Sequence, residues 1–271
     1  MEVPVLVACW SAKGGAGTTV VAAALALQFA HEIATGSAPR VSRGVAAAIA
    51  RTTGAGTALR RPSRATPVVE PPAAPAARAA SANWAAATGA VLADLAGDAP
   101  AVLGLPEPAS PGLAGWLAAG DDVPADALAR LEVEVAPGLH LLPRGRAALQ
   151  PDRAGVLAAL LDRSPRVAVV DCGRAGEPAA DAVIARARPS LLVTRRCFVA
   201  LRRAAHVPLR PTGVVVVNEP GRVLSTADVS DIVKAPVVAV VELDPAVARQ
   251  VDAGLLAGRL PRSLQSLRAA A

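Results

Sequence analysis

The chain has 271 residues and a formal net charge of +6; 53% of it is hydrophobic, only 2% is aromatic, and it has no Tyr. That length suits one large domain or two small ones with a sizeable core. The composition excludes collagen and a disulfide-stapled mini-protein, and it argues against a wholly disordered chain or an aromatic platform for single-stranded nucleic acid.

Several apolar runs alternate with helical stretches along the chain. Val3 to Cys9 is an unbroken apolar run, as in a strand buried on both faces. A glycine-rich turn follows, then an Ala/Leu-rich helix from Thr19 to Ala34. From Thr35 to about Ala87 the character changes to Ala, Pro, Arg, Thr and Gly with few large apolar residues, which predicts a low-complexity, disordered insert with a helical turn at Val45 to Ile49. Order resumes with a strand at Ala90 to Leu95 and a short helix at Leu113 to Ala119. Asp121 and Asp122 read as a helix cap ahead of Pro124.

The pattern then gives a strand at Leu139 to Leu142, a helix at Gly155 to Leu161, and a buried strand at Val167 to Val170 that ends on Asp171. Helices at Ala179 to Ala187, Phe198 to Ala205 and Ala227 to Val233 alternate with strands at Leu191 to Thr194, Val214 to Val217 and Val237 to Val241. A helix at Ala246 to Leu256 and a Pro-initiated helix from Pro261 close the chain. Uniform Val/Leu strands alternating with helices predict a doubly wound, mostly parallel sheet with helices on both faces. The domain comprises 1–34 and 88–260, with the insert at 35–87 and a helix or tail at 261–271. Ligands of such sheets bind beyond the carboxyl ends of the strands, so the chemistry is expected after Cys9, Leu95, Asp171 and Val217.

Charge and cysteine usage narrow the setting. Segment 35–83 holds seven Arg and a single acid, Glu70, so it carries the whole excess charge and the rest of the chain is neutral. Any pull on DNA or another acidic partner therefore comes from this segment. Cys9, Cys172 and Cys197 show no CxxC pairing and read as small hydrophobic side chains in a reducing compartment. No apolar run reaches membrane-span length and the N-terminus lacks a basic leader, so the expected location is the cytoplasm.

The turn after the first strand reads Ser11-Ala12-Lys13-Gly14-Gly15-Ala16-Gly17-Thr18-Thr19. Glycines between a strand and a helix let backbone N–H groups converge on an anion, and the helix dipole adds to the attraction. Residues 13–19 resemble the deviant Walker A motif of the MinD/ParA ATPases, Lys-Gly-Gly-x-Gly-Lys-Thr/Ser, a family that includes septum-site, plasmid-partition and pilus-assembly proteins. The resemblance continues in order along the chain: Val91 to Ala96 is similar to the strand that ends in Asp-x-Asp, Val167 to Asp171 to the Walker B strand, Val214 to Asn218 to the strand whose terminal Asn contacts the base, and Val237 to Gly254 to the closing strand, Asp-Pro and helix.

The resemblance implies the P-loop NTPase fold, ATP and Mg²⁺ as ligands, and a homodimer with two nucleotides between its subunits. It implies a nucleotide site of Lys13, Gly14, Gly15, Ala16, Gly17, Thr18, Thr19 and Asn218, with Lys13 reaching the partner's phosphates. Thr19, Asp94 and Asp171 would serve the metal. The protein partner is not named by the sequence, and a nucleoid or membrane surface is where such proteins work.

The chain departs from the family pattern in three places. Thr18 stands where the motif has its second lysine, and it can donate a neutral hydrogen bond but no charge. A charge-assisted contact is worth about 1.5–3 kcal/mol, or roughly 10- to 150-fold in affinity. Ala96 replaces the second carboxylate of Asp-x-Asp, leaving Asp98 nearby, and no catalytic residue is assigned. The insert 35–87 reads as a passive linker, as an Arg-rich arm for DNA or an acidic surface, or as a degraded or misread stretch of GC-rich coding DNA. The expectation is a nucleotide-binding spatial organiser with poor or absent hydrolysis. The alternatives are a slow ATPase of the same kind and a nucleotide-free scaffold.

Overall fold

The computed structural model describes residues 5–36, 87–120, 123 and 125–267. The predicted disordered insert, its helical turn at 45–49, Arg-rich segment 36–86 and the Asp121-Asp122 cap fall largely or wholly outside the described residues.

Eight strands form one sheet: β1 (Leu6–Ser11), β2 (Ala90–Asp94), β3 (Val133–Ala136), β4 (Leu139–Leu142), β5 (Val167–Arg174), β6 (Ser190–Arg195), β7 (Gly213–Asn218) and β8 (Val237–Glu242). Their spatial order is β3-β4-β2-β5-β1-β6-β7-β8. Every neighbouring pair is parallel except β3 with β4. The sheet is thus mostly parallel, as its uniform apolar strands predict.

Alternation along the buried β1 builds both faces. Val5, Val7 and Cys9 point into one core, and Leu6, Ala8 and Trp10 into the other. The first core takes the long helix α1 (Thr18–Thr35) and the short helix α2 (Ala99–Leu103). Ala22, Ala23, Ala24 and Ala26 of α1 are fully buried, so small side chains let this helix lie close to the sheet. By length and apolar composition alone α1 could cross a membrane, yet 72% of it is buried in the domain. The second core takes α3 (Gly112–Ala118), α4 (Ala154–Asp162), α5 (Pro178–Arg186), α6 (Phe198–His206) and α7 (Thr226–Val233). Trp10 is fully buried there, and its indole N–H donates to the Ser190 hydroxyl at 2.9 Å.

Four local differences separate the structure from the sequence reading. Strand β3 was not anticipated, because Val-Glu-Val-Ala is only four residues long and gains its partner through a tight turn at Gly138, whose φ is +79°. Helix α2 escaped notice because five residues are too few to show a period. The closing helix α8 (Pro245–Asp252) stops short of the expected Leu256, ended by Gly254 at φ +65°. That turn meets Gly104 backbone to backbone, where a β-carbon would collide with the Gly254 carbonyl. Beyond it, Leu264–Leu267 forms a 3₁₀ turn rather than an extended helix. Leu264 and Leu267 are buried in the α1 core, and Gln28 donates to the Leu264 carbonyl at 2.9 Å.

Candidate nucleotide site

Strand β1 lies between β5 and β6, and the chain after it winds to either side of the sheet, so a crevice opens at its carboxyl end. Residues 12–17 turn there and lead directly into α1. Gly14, Gly15 and Gly17 have φ of +81°, +64° and +86°, the left-handed region that only glycine adopts without cost. Nothing within 4 Å blocks the space where a β-carbon would stand on Gly15 or Gly17, so the loop backbone faces open space. Ser11 anchors the turn: its hydroxyl oxygen accepts the Gly14 N–H at 3.2 Å and donates to the Gly173 carbonyl at 3.2 Å. Gly17 is the N-cap of α1 without a side-chain cap, so the first-turn N–H groups remain available to an anion.

Two carboxylates from neighbouring strands stand behind the loop. Asp94 ends β2 and Asp171 lies in β5, the two paired in register, and both are fully buried. Asp94 accepts the Gly97 N–H at 2.7 Å on one oxygen and the Ala99 N–H at 3.0 Å on the other, which builds the β2–α2 turn. Burial raises its pKa against the pull of these amides. Asp171 accepts the Gly173 N–H at 3.0 Å on Oδ1, while Oδ2 is buried with no hydrogen-bond partner. Burial pushes its pKa up to about 7, a hydrogen bond from the Thr19 hydroxyl holds it down, and the charge of Asp94 adds a smaller rise.

An orphaned, fully buried carboxylate oxygen beside a threonine hydroxyl at a helix N-terminus is a hard oxygen donor set of the kind Mg²⁺ takes. Thr19 and Asp171 therefore fit the metal. Asp94, expected with them, has both oxygens engaged by backbone amides.

The loop separates two depressions. The larger, about 540 Å³, is lined by Ser11, Gly14, Gly15 and Thr19, by Ala96 and Asp98 from the β2–α2 turn, and by Arg144, Gly173, Arg174 and Glu177. Thr18, buried in the first turn of α1, also reaches this wall. Ala96 does occupy the turn facing the cleft, and the exposed Asp98 supplies the carboxylate there. Sequence reasoning missed both arginines. Arg144, just past β4, donates to the Leu95 carbonyl at 2.6 Å; Arg174, at the end of β5, stands beside Gly14. Only the order of the strands brings them to the loop.

The smaller depression, about 310 Å³, lies on the other side of Ala16 and Gly17. Val20, Val217, Val241, Leu243, Val247 and Val251 give it apolar walls, with Glu242 and Asp244 at its edge. Its size and apolar lining are those of a small-ligand pocket. Asn218 lies next to it, not on its wall: its Nδ2 donates to both oxygens of Glu242, at 2.9 and 2.8 Å, and its Oδ1 accepts from Arg196. Glu242 was not foreseen, because only the pairing of Asn218 with Glu242 across β7 and β8 brings it there. Lys13 is exposed on the rim toward β6, beside Arg195 and Cys197, and its charge helps lower the Glu219 pKa behind the dominant hydrogen bond from Arg222.

No family model and no curated protein matches the chain. Solved structures do match its fold. The septum site-determining protein MinD of Pyrococcus horikoshii, solved with Mg-ADP, is 15% identical with a TM-score of 0.65, covering 97% of this chain and 92% of that one. A ParA family ATPase from Chlorobium tepidum is 15% identical with a TM-score of 0.64, covering 98% and 97%. An ATP complex of Cyanothece McdA is 14% identical with a TM-score of 0.59, covering 98% and 94%. The chain has the P-loop fold of the MinD and ParA ATPases over nearly its whole length.

Proposed function

We propose that this chain is a MinD/ParA-like nucleotide-binding protein that takes Mg-ATP, hydrolyses it poorly or not at all, and uses the bound state to position a cellular structure. The observation that carries this reading is the open glycine loop beside the buried, unpartnered Oδ2 of Asp171. The loop amides and the α1 N-terminus bind and orient the phosphates. The apolar depression takes the base, and Thr19 and Asp171 hold Mg²⁺, which when bound neutralises phosphate charge. The missing lysine at Thr18 and missing carboxylate at Ala96 remove parts that stabilise charge during transfer, not parts that form the cradle.

By resemblance, two copies close on two nucleotides with Lys13 acting across the interface, and its exposed position on the rim supports that role. The structural neighbours include septum-site and ParA proteins, which supports a role in septum placement, chromosome partition or pilus localisation in the cytoplasm. A second reading, a slow but active ATPase, is favoured by the Asp98 carboxylate in the cleft.

Calorimetry with Mg-ATP on the unaltered chain and Lys13→Ala, with light scattering for mass and a phosphate-release assay, tests this. Micromolar binding, an ATP-dependent doubling of mass weakened in Lys13→Ala, and negligible phosphate release are expected. No binding at millimolar nucleotide would leave a scaffold as the function; steady turnover would establish the ATPase.

A further inference from the structure

We propose that Arg174 supplies the positive charge that the loop lacks at Thr18, contacting the terminal phosphate of a bound nucleoside triphosphate. The proposal rests on the nucleotide reading of the site.

The placement follows from the two depressions. The apolar one borders Ala16, Gly17, Val20 and Val21, so a base seated there starts the phosphate chain at the α1 end of the loop. The chain then runs back over the loop toward Gly14 and Gly15, which face the larger cleft. The phosphate farthest from the base therefore arrives at Gly14. Arg174 is the cation on the cleft side of that point: its Cδ lies 3.8 Å from where a β-carbon on Gly14 would be, while Lys13 stands on the opposite rim.

Its backbone is fixed relative to the loop. Arg174 pairs in register with Ser11, the Ala175 N–H donates to the Ser11 carbonyl at 2.9 Å, and the Ser11 hydroxyl donates to Gly173. A bulge in β1 between Cys9 and Ser11 and the +61° φ of Gly173 set this end of β5 against the loop.

Its guanidinium is available. Arg174 is exposed and has no hydrogen-bond or ion-pair partner among the described residues, although Glu177 and Asp98 line the same cleft. Arg144, the other arginine of the cleft, is already anchored on the Leu95 carbonyl at the β2–α2 turn. A guanidinium binds phosphate oxygens through a planar fork, so an arginine reaching in from the strand end can serve where a loop lysine is absent.

The test is calorimetric affinity for Mg-ATP and Mg-ADP, with a thermal-unfolding control, on the unaltered chain, Arg174→Ala, Arg174→Lys and Arg174→Ala combined with Thr18→Lys. Arg174→Ala is expected to weaken Mg-ATP by about tenfold or more and Mg-ADP by less than about threefold, a charge-assisted contact being lost only at the terminal phosphate. Arg174→Lys should fall between, and Thr18→Lys should restore ATP affinity in the Arg174→Ala background. An Arg174→Ala chain that is folded and binds ATP as the unaltered chain does, or loses ATP and ADP equally, overturns the proposal and leaves the nucleotide site standing. An unaltered chain that binds neither nucleotide overturns both.

Discussion

Asp171 makes the nucleotide-free protein less stable as the pH rises, and Asp171→Asn removes that dependence. The folded carboxyl titrates near 7 against an ordinary 3.8, chiefly because burial penalises its charged form. Below about pH 4 both folded and unfolded chains hold the proton, and the group costs nothing. Between about pH 4 and pH 7 the unfolded chain releases the proton while the folded chain keeps it, so stability falls; above 7 the full cost is present. At about 1.4 kcal/mol per pH unit, the interval from 3.8 to about 7 amounts to about 4 kcal/mol. The group is fully buried, so solvent screening removes little of this. Urea unfolding of both chains at pH 4, 5, 6, 7 and 8 reads it directly. The stability difference between Asp171→Asn and the unaltered chain should grow by about 4 kcal/mol in favour of the variant, with most of the rise between pH 5 and 7. Comparison with the variant cancels Asp228 and Asp244, whose pKa values are lowered and whose contributions are lost as pH falls. Parallel profiles would show that Asp171 is solvated or paired in solution, and the argument for a metal donor at Oδ2 would go with it.

Two further outcomes bear on the site. Gly17→Ala places a β-carbon at φ +86° with nothing to collide with, so its cost should be the conformational one alone, roughly 1–2 kcal/mol by urea unfolding; no loss would mean the loop does not hold this turn. Asn218→Ala should change Mg-ATP affinity by less than about threefold, because the amide is already engaged by Arg196 and Glu242; a loss beyond about tenfold, the scale of one hydrogen bond left unmade, would show that it turns to the base.

The sheet was legible because burial on both faces writes unbroken Val and Leu runs, as in Val214 to Val217, and the helices between them are long enough to show a period. The loop was legible because positive φ demands glycine and the glycines cluster within four positions, Gly14 to Gly17. What the sequence hid depends on strand order. Arg144 and Arg174 are thirty positions apart, one just past β4 and the other at the end of β5, with β2 between those strands, and nothing in their sequence neighbourhoods marks them as cleft residues. The same holds for Glu242, which meets Asn218 only because β7 and β8 are neighbours in register. The amide bonds of Asp94 were hidden for another reason: a carboxylate that builds a turn and one that meets a metal look alike in sequence, and one amide on each oxygen leaves lone pairs for either role.

The proposed separation of binding from turnover has a basis in the loop's geometry. Its shape rests on three glycines, the Ser11 hydroxyl and the backbone of the α1 N-terminus, none of which depends on the side chain at residue 18. Losing a lysine there removes a charge but leaves the amide cradle intact, and backbone amides with a helix dipole attract phosphate without it. Turnover asks more, because it needs charge placed where negative charge moves during transfer and a carboxylate set for the attacking water. At the first position the chain offers a buried threonine, and at the second an alanine with Asp98 exposed two residues on. An arginine at the terminal phosphate can restore ground-state affinity, while Asp98 sits on a different part of the turn from the lost carboxylate. On the proposed reading, the site would hold nucleotide in preference to converting it.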